Sequence, residues 1–357
     1  MKKSVYFIKA TREDSDEILS RKADRVFAEL GLEGKIAKEN LVALKIHFGE
    51  TGNIGYIKPL WLKHIIQRIK GKTSRAYITD TNALYTGKRS NAPEHLQLAA
   101  GHGFSLPKIH IPVVIADGLI GRDDQDIPVN LPRIRIAKLA SAFLNTDYLV
   151  SLSHFTGHLL TGFGATLKNL GMGCASRAGK LDQHSDVHPW VDAEACTNCS
   201  ICMEYCPVGA IQRGERSAVI IDDMCIGCGE CLVVCTVGAV KMRWDQDVIR
   251  IQEKMAEYAS SIGRLFEGKL ACLNFLLNVT KNCDCMAKKE PAVVEDVGIV
   301  CSADPIAADK ASVDLINQTS GKDIFREIHH VDWSVQLRHA QEVGLGNMSY
   351  ELIELTL

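Results

Sequence analysis

The 357-residue sequence lacks the features that would point to a nucleic-acid partner, a membrane or secretion. Its formal charge is only −2 and its pI is near 6.6, so no basic excess attracts nucleic acid or an anionic membrane. The most apolar stretch, residues 270–279, is too short to span a bilayer. The apolar run at residues 4–8 is too short for a signal peptide. We therefore expect a cytoplasmic protein with no nucleic-acid or membrane partner.

Cysteine, by contrast, is abundant, and eight of the 13 cysteines form two runs with the same C-x2-C-x2-C-x3-C spacing. Pro207 follows the first run, and Thr236 takes the corresponding position after the second. In two-cluster ferredoxins such runs bind [4Fe-4S] clusters, and the fourth cysteine of each run ligates the other cluster. We therefore predict two crossed ligand sets, Cys196, Cys199, Cys202 and Cys235 for one cluster and Cys225, Cys228, Cys231 and Cys206 for the other.

Zinc is the alternative metal for closely spaced cysteines, because four thiolates also suit a tetrahedral zinc ribbon. A zinc ribbon needs two CxxC pairs, whereas each run here has three evenly spaced cysteines and a remote fourth. The spacing therefore favours iron-sulfur clusters.

Alternating strands and helices flank the cysteine runs on both sides. Strands are predicted at residues 4–8, 41–48, 75–79, 113–116, 133–136, 148–152, 269–276 and 294–301. Helices are predicted after Ser15, from Pro59, at 92–100, 247–265, 305–317 and 331–343. This alternation predicts an α/β fold with a mostly parallel sheet and helices on both faces.

The same pattern predicts how the chain divides. We place the α/β domain in residues 1–187 and 247–357, and a small inserted α+β two-cluster ferredoxin-like module in residues 188–246. No low-complexity linker separates these parts, so we expect the module to dock firmly on the α/β domain.

Polar residues follow several of the predicted strands. In open parallel sheets, ligands bind beyond the carboxyl ends of the strands. An Asp after a strand is most often a helix cap or a turn residue, but several polar ends together predict a site. The strand-end residues are His47, Asp80, Asp117, His154 and Asp304. We predict that His47, Asp80, His154, His158 and Asp304 carry the chemistry.

Two pairs of histidines lie four residues apart, His154 with His158 and His184 with His188. This spacing places two imidazoles on one side of a helical turn, which suits a metal or a proton relay. No carboxylate stands at the position that a zinc-protease motif requires, so proton transfer is favoured over metal binding. The alternative is that these are loop histidines bonded to the backbone.

Residues 162–173 are rich in glycine and contain one lysine, Lys168. Backbone amides at the start of a helix here, together with Lys168, would hold an anion, and Gly162 and Gly164 belong to that candidate site. The alternative is that the glycines allow close helix packing. The stretch lacks the full G-x-G-x-x-G pattern, so it does not predict a dinucleotide site.

Cys283 and Cys285 form a C-x-C pair around Asp284. Such a pair can ligate a metal or form a disulfide, and both uses are linked to redox chemistry. We therefore include both residues among the candidate cofactor ligands. The remaining cysteines, Cys174, Cys272 and Cys301, are expected to be buried as small apolar residues.

These segments resemble an uncharacterised family, the "domain of unknown function 362" proteins, which often carry a ferredoxin module. The likeness covers nearly the whole chain and rests on residues 45–50, 79–82, 116–118, 153–158, 167–173, 283–285 and 303–310. The resemblance implies that the histidine, glycine and CDC segments belong to a shared pattern and that iron-sulfur binding is expected. It supplies no reaction.

We therefore expect an iron-sulfur oxidoreductase whose ferredoxin-like module relays single electrons to a small-molecule site in the α/β crevice. In this hypothesis the histidines give protons, Lys168 holds an anionic group, and Asp80, Asp117 and Asp304 orient the substrate or a metal. The alternative is an electron carrier or assembly factor that docks a redox partner protein and performs no chemistry itself. A third interpretation places a separate metal at Cys283 and Cys285. The oligomeric state stays open.

Overall fold

The computed structural model describes residues 2–84, 87–184, 189–225, 231, 234–242 and 247–357. Its strands are Lys3–Lys9 (β1), Val42–Ile46 (β2), Ala76–Asp80 (β3), Val113–Ile115 (β4), Asp124–Pro128 (β5), Ile136–Ala140 (β6), Tyr148–His154 (β7), Thr156–His158 (β8), Gly162–Gly164 (β9), Pro189–Val191 (β10), Ile211–Arg213 (β11), Ala218–Ile220 (β12), Val240–Met242 (β13), Leu270–Leu276 (β14), Gly298–Ser302 (β15) and Tyr350–Leu355 (β16).

The α-helices in the described ranges are Asp16–Ala28 (α1), Lys63–Lys70 (α2), Ala92–Gly101 (α3), Leu106–Ile109 (α4), Ser141–Leu144 (α5), Thr166–Gly171 (α6), Arg177–His184 (α7), Ile201–Glu204 (α8), Asp247–Leu265 (α9), Pro305–Ser320 (α10), Ile324–His329 (α11) and Ser334–Glu342 (α12). Short 3-10 helices occupy Leu32–Lys35, Pro59–Leu62 and Asp222–Met224. None of these described helices combines the length and the apolarity needed to cross a membrane.

Eight strands form the central sheet, in the order β16-β1-β15-β14-β7-β2-β3-β4. Neighbouring strands are parallel except at β15, which is antiparallel to both β1 and β14. The prediction of an α/β fold with a mostly parallel sheet is therefore confirmed. Strands from before residue 185 and from after residue 247 lie side by side in this one sheet.

The central strands are buried on both faces because helices cover both. In β14, Leu270 and Cys272 face one apolar cluster, whereas Ala271 and Leu273 face the other, as the alternation of side chains along a strand requires. Helices α6, α9 and α10 pack in the first cluster, and α1, α2 and α3 pack in the second. Strands enclosed in this way are nearly continuous apolar runs, which is why the sequence revealed them.

One strand prediction is wrong, and one strand of the central sheet was missed. Residues 133–136 were predicted as a strand, but the strand is Ile136–Ala140, which pairs with β5 in a separate two-stranded sheet. The amides of Arg133 and Ile134 instead donate to the Glu257 carboxylate, at 2.9 and 2.8 Å. Strand β16 was not predicted, and it extends the sheet parallel to β1.

The described parts of residues 189–242 form small sheets outside the central one. Strand β10 pairs with β13, so Pro189 lies opposite Met242 and the two ends of this segment are adjacent. Strand β11 pairs with β12. A small apolar cluster there includes Cys202, Cys231 and Ile211.

Candidate functional site

A pocket that is partly open to solvent lies at the carboxyl ends of β2, β3 and β7. Among its lining side chains are His47, Asp80 and His154, three of the polar residues that follow predicted strands. The ends of parallel strands meet at one edge of the sheet, which brings these side chains together. The ionisable lining also includes Lys45, Arg89, Lys168, Lys180, His184 and Asp284.

Asp304 lies away from this pocket, at the opposite edge of the sheet. Its position follows from β15, which runs antiparallel and therefore ends where the neighbouring strands begin. The carboxylate accepts hydrogen bonds from the amides of Ile306 and Ala307, both at 3.0 Å, and lies 3.6 Å from the ammonium of Lys3. Asp304 is thus the N-cap of α10, and the expectation that it joins the other strand ends was wrong.

Asp117 and His158 lie near the pocket but are not part of its lining. Asp117 is fully buried, and its Oδ1 accepts hydrogen bonds from the backbone and side-chain nitrogens of Asn82, at 2.9 and 2.8 Å. His158 lies in β8, and its Nδ1 accepts from the amides of Leu160 and Thr161, both at 3.3 Å. Both residues therefore make local structural contacts.

His154 and His158, which lie four residues apart, are not arranged on a helical turn as predicted. His154 ends β7 and His158 lies in the following strand, so the two rings do not share a helical turn. His184 ends α7 and lines the pocket, and burial lowers its pKa to about 4. His188 lies outside the described residues.

Lys45 forms a buried ion pair at the base of the pocket. Its ammonium lies 2.9 Å from Asp80 Oδ1 and donates to Asn169 Oδ1 at 2.8 Å. Burial alone would raise the pKa of Asp80, but Lys45 and neighbouring cationic groups hold it well below its usual value. His95 Nε2 lies 3.7 Å from the other Asp80 oxygen, and burial lowers the pKa of His95 to about 3, so this ring is neutral at pH 7.

His154 forms a second buried pair with Asp284. Its Nδ1 lies 2.8 Å from Asp284 Oδ2, and its Nε2 lies 2.8 Å from the carbonyl oxygen of Leu277. Both partners only accept hydrogen bonds, so both ring nitrogens carry protons. Burial lowers the pKa of His154, but the Asp284 carboxylate outweighs this effect and raises it. We conclude that the pair is an imidazolium and a carboxylate at neutral pH.

His47, like His184, is a neutral histidine in the pocket lining. Its Nδ1 accepts a hydrogen bond from the Gly49 amide at 3.0 Å, so the ring proton lies on Nε2. Burial lowers the pKa of His47 well below its ordinary value, and the nearby Arg89 acts in the same direction. His47 therefore offers the pocket an N–H donor without a positive charge.

Lys168 gives the pocket an excess of positive charge. Lys45 and Arg89 each have a carboxylate partner, but the ammonium of Lys168 has no hydrogen bond or ion pair with any described residue. Lys180 donates to the Thr81 hydroxyl and to a carbonyl, at 2.6 and 2.8 Å. Burial lowers the pKa of both Lys168 and Lys180 to about 8, so both are mostly charged at pH 7.

The glycine-rich stretch does not hold an anion with its helix amides. The amides of Thr166 and Leu167, at the start of α6, already donate to the carboxylate of Asp309 at 2.9 and 2.8 Å. Gly164 lines the pocket, whereas Gly162 packs against Trp333. The prediction is therefore corrected, because the internal carboxylate of Asp309 occupies the helix start, and Lys168 is the charged residue of this stretch in the pocket lining.

Close packing explains another glycine of this stretch. A Cβ at Gly171 would lie 2.3 Å from the carbonyl oxygen of Met255 in α9. Helices α6 and α9 can approach each other this closely only because Gly171 has no side chain. The packing interpretation therefore holds at this position.

Cys283 and Cys285 are joined by a disulfide in the pocket wall. The sequence left open whether this pair ligates a metal or forms a disulfide, and the structure contains the disulfide. Asp284 lies between them, and its Oδ1 is buried without a hydrogen-bond partner among the described residues. Cys174, Cys272 and Cys301 are buried, as expected.

A separate small cavity lies among three cysteines of the first run and the last cysteine of the second. Cys196, Cys199, Cys202 and Cys235 all line it, which is the set assigned to one cluster. The Sγ of Cys235 accepts from the Ala239 amide at 3.2 Å. Cys206, Cys225 and Cys231 lie elsewhere in this segment, and Cys228 lies outside the described residues.

The described residues contain no group of three or more Cys, His, Asp or Glu side chains that could hold one metal ion. A single zinc ion, with Zn–S bonds of about 2.3 Å, needs its thiolates nearly in contact. The cavity described above is lined by four cysteine side chains.

The sequence matches the model of the "domain of unknown function" family DUF362 over residues 42–314, more than half of the chain. The chain belongs to the DUF362 family. No curated protein matches it. The matched residues of this DUF362 chain include the pocket residues and both cysteine runs.

Two solved structures are similar to this DUF362 chain. One is the lactate racemase apoprotein from Thermoanaerobacterium thermosaccharolyticum, with 14% identity and a TM-score of 0.46 over 88% of this chain and 57% of that one. The other is a Thermotoga maritima protein, with 10% identity and a TM-score of 0.40 over 86% of this chain and 59% of that one. The chain thus spans less than two thirds of the length of either protein.

Several pocket residues were not predicted as site residues. Lys45 carried a usable signal, because a lysine inside the buried strand Val42–Ile46 must have a partner. Arg89 and Lys180 gave no such signal, since neither lies in a predicted strand or directly after one. Only folding brings them to the pocket of the DUF362 domain.

Proposed function

We propose that this chain is a cytoplasmic iron-sulfur oxidoreductase in which two [4Fe-4S] clusters, held by residues 188–246, pass single electrons to a small anionic substrate in the pocket. The observation that carries the proposal is the charge of the pocket. Lys168 has no partner among the described residues, and its pKa of about 8 leaves it charged at pH 7. An anion would give this half-buried ammonium the partner that it lacks.

The spacing of the eight cysteines supports the iron-sulfur part of the proposal. The four cysteines assigned to one cluster share a cavity, and their thiolates would ligate that cluster. Bound clusters would supply one-electron transfer. Backbone amides such as that of Ala239, which donates to Cys235 Sγ, would adjust the potential of the cluster through hydrogen bonds to sulfur.

The remaining pocket groups have separate roles in this proposal. Lys168 binds the anionic group of the substrate, and the Nε2 proton of His47 donates a hydrogen bond to it. The His154–Asp284 pair is a fixed dipole in the wall, since both protons of the ring are already bonded. Lys45 and Asp80 neutralise each other and keep the base of the pocket rigid.

Iron content tests the cluster assignment. Protein prepared without oxygen should contain about eight irons per chain and be brown. Cys235→Ser should lose about half of the iron and leave one cluster signal in electron paramagnetic resonance. Cys174→Ala, a change at a buried cysteine outside both runs, is the control and should retain all the iron. Colourless protein with zinc would contradict the proposal.

Oxidation of reduced clusters by added anions tests the pocket. The chain is reduced anaerobically and mixed with a panel of small anionic electron acceptors, each a carboxylate or a phosphate ester that also carries a reducible group, and recovery of the cluster absorbance is followed. Lys168→Met should slow this recovery at least tenfold. Lys310→Met, which removes a lysine paired with Asp314 on α10, should have no effect. Equal rates in Lys168→Met and the wild type would rule out the pocket.

A specific observation favours a second function, an electron carrier for a redox partner protein. Cys199 is exposed, and Val237, which lines the same cavity, is 47% exposed. A partner protein could therefore approach this cluster directly. In that case the partner would oxidise the clusters of Lys168→Met as fast as those of the wild type, because the pocket would take no part.

A further inference from the structure

The Cys283–Cys285 disulfide closes a very short loop of the chain, because only Asp284 separates the two cysteines in sequence. A disulfide stabilises a fold mainly by restricting the unfolded chain, and the effect grows with the length of the closed loop. A bond across one intervening residue restricts very little. The disulfide therefore contributes little to stability, and another role has to explain it.

Hydrogen bonds hold the turn without help from the sulfur atoms. The backbone and side-chain nitrogens of Asn282 donate to the Glu290 carboxylate at 2.9 and 2.7 Å. The amide of Met286 donates to the carbonyl oxygen of Cys283 at 3.0 Å, and Thr280 forms a bridge with Ala292. The loop can therefore keep its shape when the S–S bond opens.

The position of the disulfide makes it accessible to chemistry. Both cysteines line the pocket that also contains Lys168 and the His154–Asp284 pair. Cys283 is 7% exposed, and Cys285 is half-buried.

We propose that Cys283–Cys285 is a redox-active disulfide that takes up the electrons delivered to the pocket and holds them as a dithiol. This inference rests on the proposed function for its electron source. The S–S bond accepts two electrons, one from each reduced cluster, and breaks. Each sulfur then takes one proton from water in the pocket, so two thiols form and the clusters lose two electrons in total. The dithiol returns two electrons and two protons to a two-electron acceptor in the pocket.

Peptide mass spectrometry tests the inference directly. Trypsin cleaves after Lys281 and Lys288, so residues 282–288 form one peptide that contains these two cysteines and no others. The folded, cluster-loaded chain is equilibrated in buffers of graded oxidised and reduced dithiothreitol and then alkylated before digestion. We expect the peptide to change from no labels to two labels in one step, with a two-electron slope.

The control variant is Cys285→Ser, in which the peptide should carry one label at every buffer composition. Iron content should stay at the wild-type value in this variant, because neither residue belongs to a cluster set. A wild-type peptide with two labels even in the most oxidising buffer would overturn the inference. So would a peptide that stays unlabelled in the most reducing buffer, or one that stops at a single label.

Photoreduction separates this inference from the proposed function. If light-reduced clusters convert the peptide from no labels to two, both proposals are supported. If dithiothreitol opens the bond but reduced clusters do not, the disulfide is redox-active and the electron route through the clusters fails. If Cys283→Ser/Cys285→Ser reduces an anionic acceptor as fast as the wild type, the pocket function stands and the role of the disulfide fails.

Discussion

At the scale of single residues, Lys45 shows the cost of a charge in a buried strand. The side chain is 1% exposed, and Asp80 is its only carboxylate partner among the described residues. Lys45→Met would leave a buried carboxylate without its cation, a change that typically costs about 3–5 kcal/mol. We expect the free energy of unfolding to fall by about this amount, measured from the urea midpoint.

The double variant Lys45→Met/Asp80→Asn is the matched control for this prediction. It removes both charges, so no buried charge is left unpaired, and it should recover a large part of the lost stability. A single variant as stable as the wild type would contradict the ion pair.

The buried carboxyl group of Asp309 should make the free energy of unfolding depend on pH in an unusual direction. Burial raises its pKa from 3.8 to about 6, although hydrogen bonds from Leu167, Asn274 and Thr166 oppose the shift. The native state therefore holds this proton more tightly than the unfolded state does, and stability falls as pH rises between these two values. Relative to Asp309→Asn, the wild type should lose roughly 3 kcal/mol over this range. The free energy of unfolding of both proteins is measured in urea at each pH. If it changes with pH by the same amount in both, the raised pKa of Asp309 is contradicted.

At the scale of secondary-structure elements, strand direction decides which residues reach the pocket. Residues 298–302 are apolar and predict a strand, but an apolar run fits a buried sheet equally well in either direction. The position of Asp304 therefore could not be read from the sequence. His47, Asp80 and His154 were grouped by the expectation of parallel strands, and their strands are parallel.

The contact between α6 and α9 gives a prediction at this scale. In Gly171→Ala the new Cβ would lie 2.3 Å from the Met255 carbonyl oxygen, so the helices must separate. Overpacking of this kind costs about 1–3 kcal/mol, and the urea midpoint should fall accordingly. Gly101→Ala in α3 is the control, because nothing lies within 4 Å of its Cβ, and it should be neutral or slightly stabilising.

At the scale of the whole molecule, the pocket draws its charge from distant parts of the chain, and its anion affinity should depend on pH. Lys168 has a pKa of about 8, so its positive charge is present below this pH and is lost as pH rises through it. Sulfate, which does not titrate in this range, should bind more weakly at pH 9 than at pH 7, by about tenfold in calorimetry.

Lys168→Met should remove most of this dependence on pH. A smaller part should remain through Lys180, whose pKa is also about 8. Sulfate affinity that is equal at the two pH values in the wild type would show that Lys168 does not bind the anion.

The sequence by itself determined the α/β class, most strands of the central sheet, the longest helices, and the two cysteine runs. Each depends on short-range patterns: apolar runs, helical periodicity and fixed cysteine spacing. Only the tertiary structure decided the direction of β15, the carboxylate that occupies the start of α6, and the arrival of Arg89 and Lys180 at the pocket. These features depend on contacts between residues far apart in sequence, and no local pattern specifies which segments will meet.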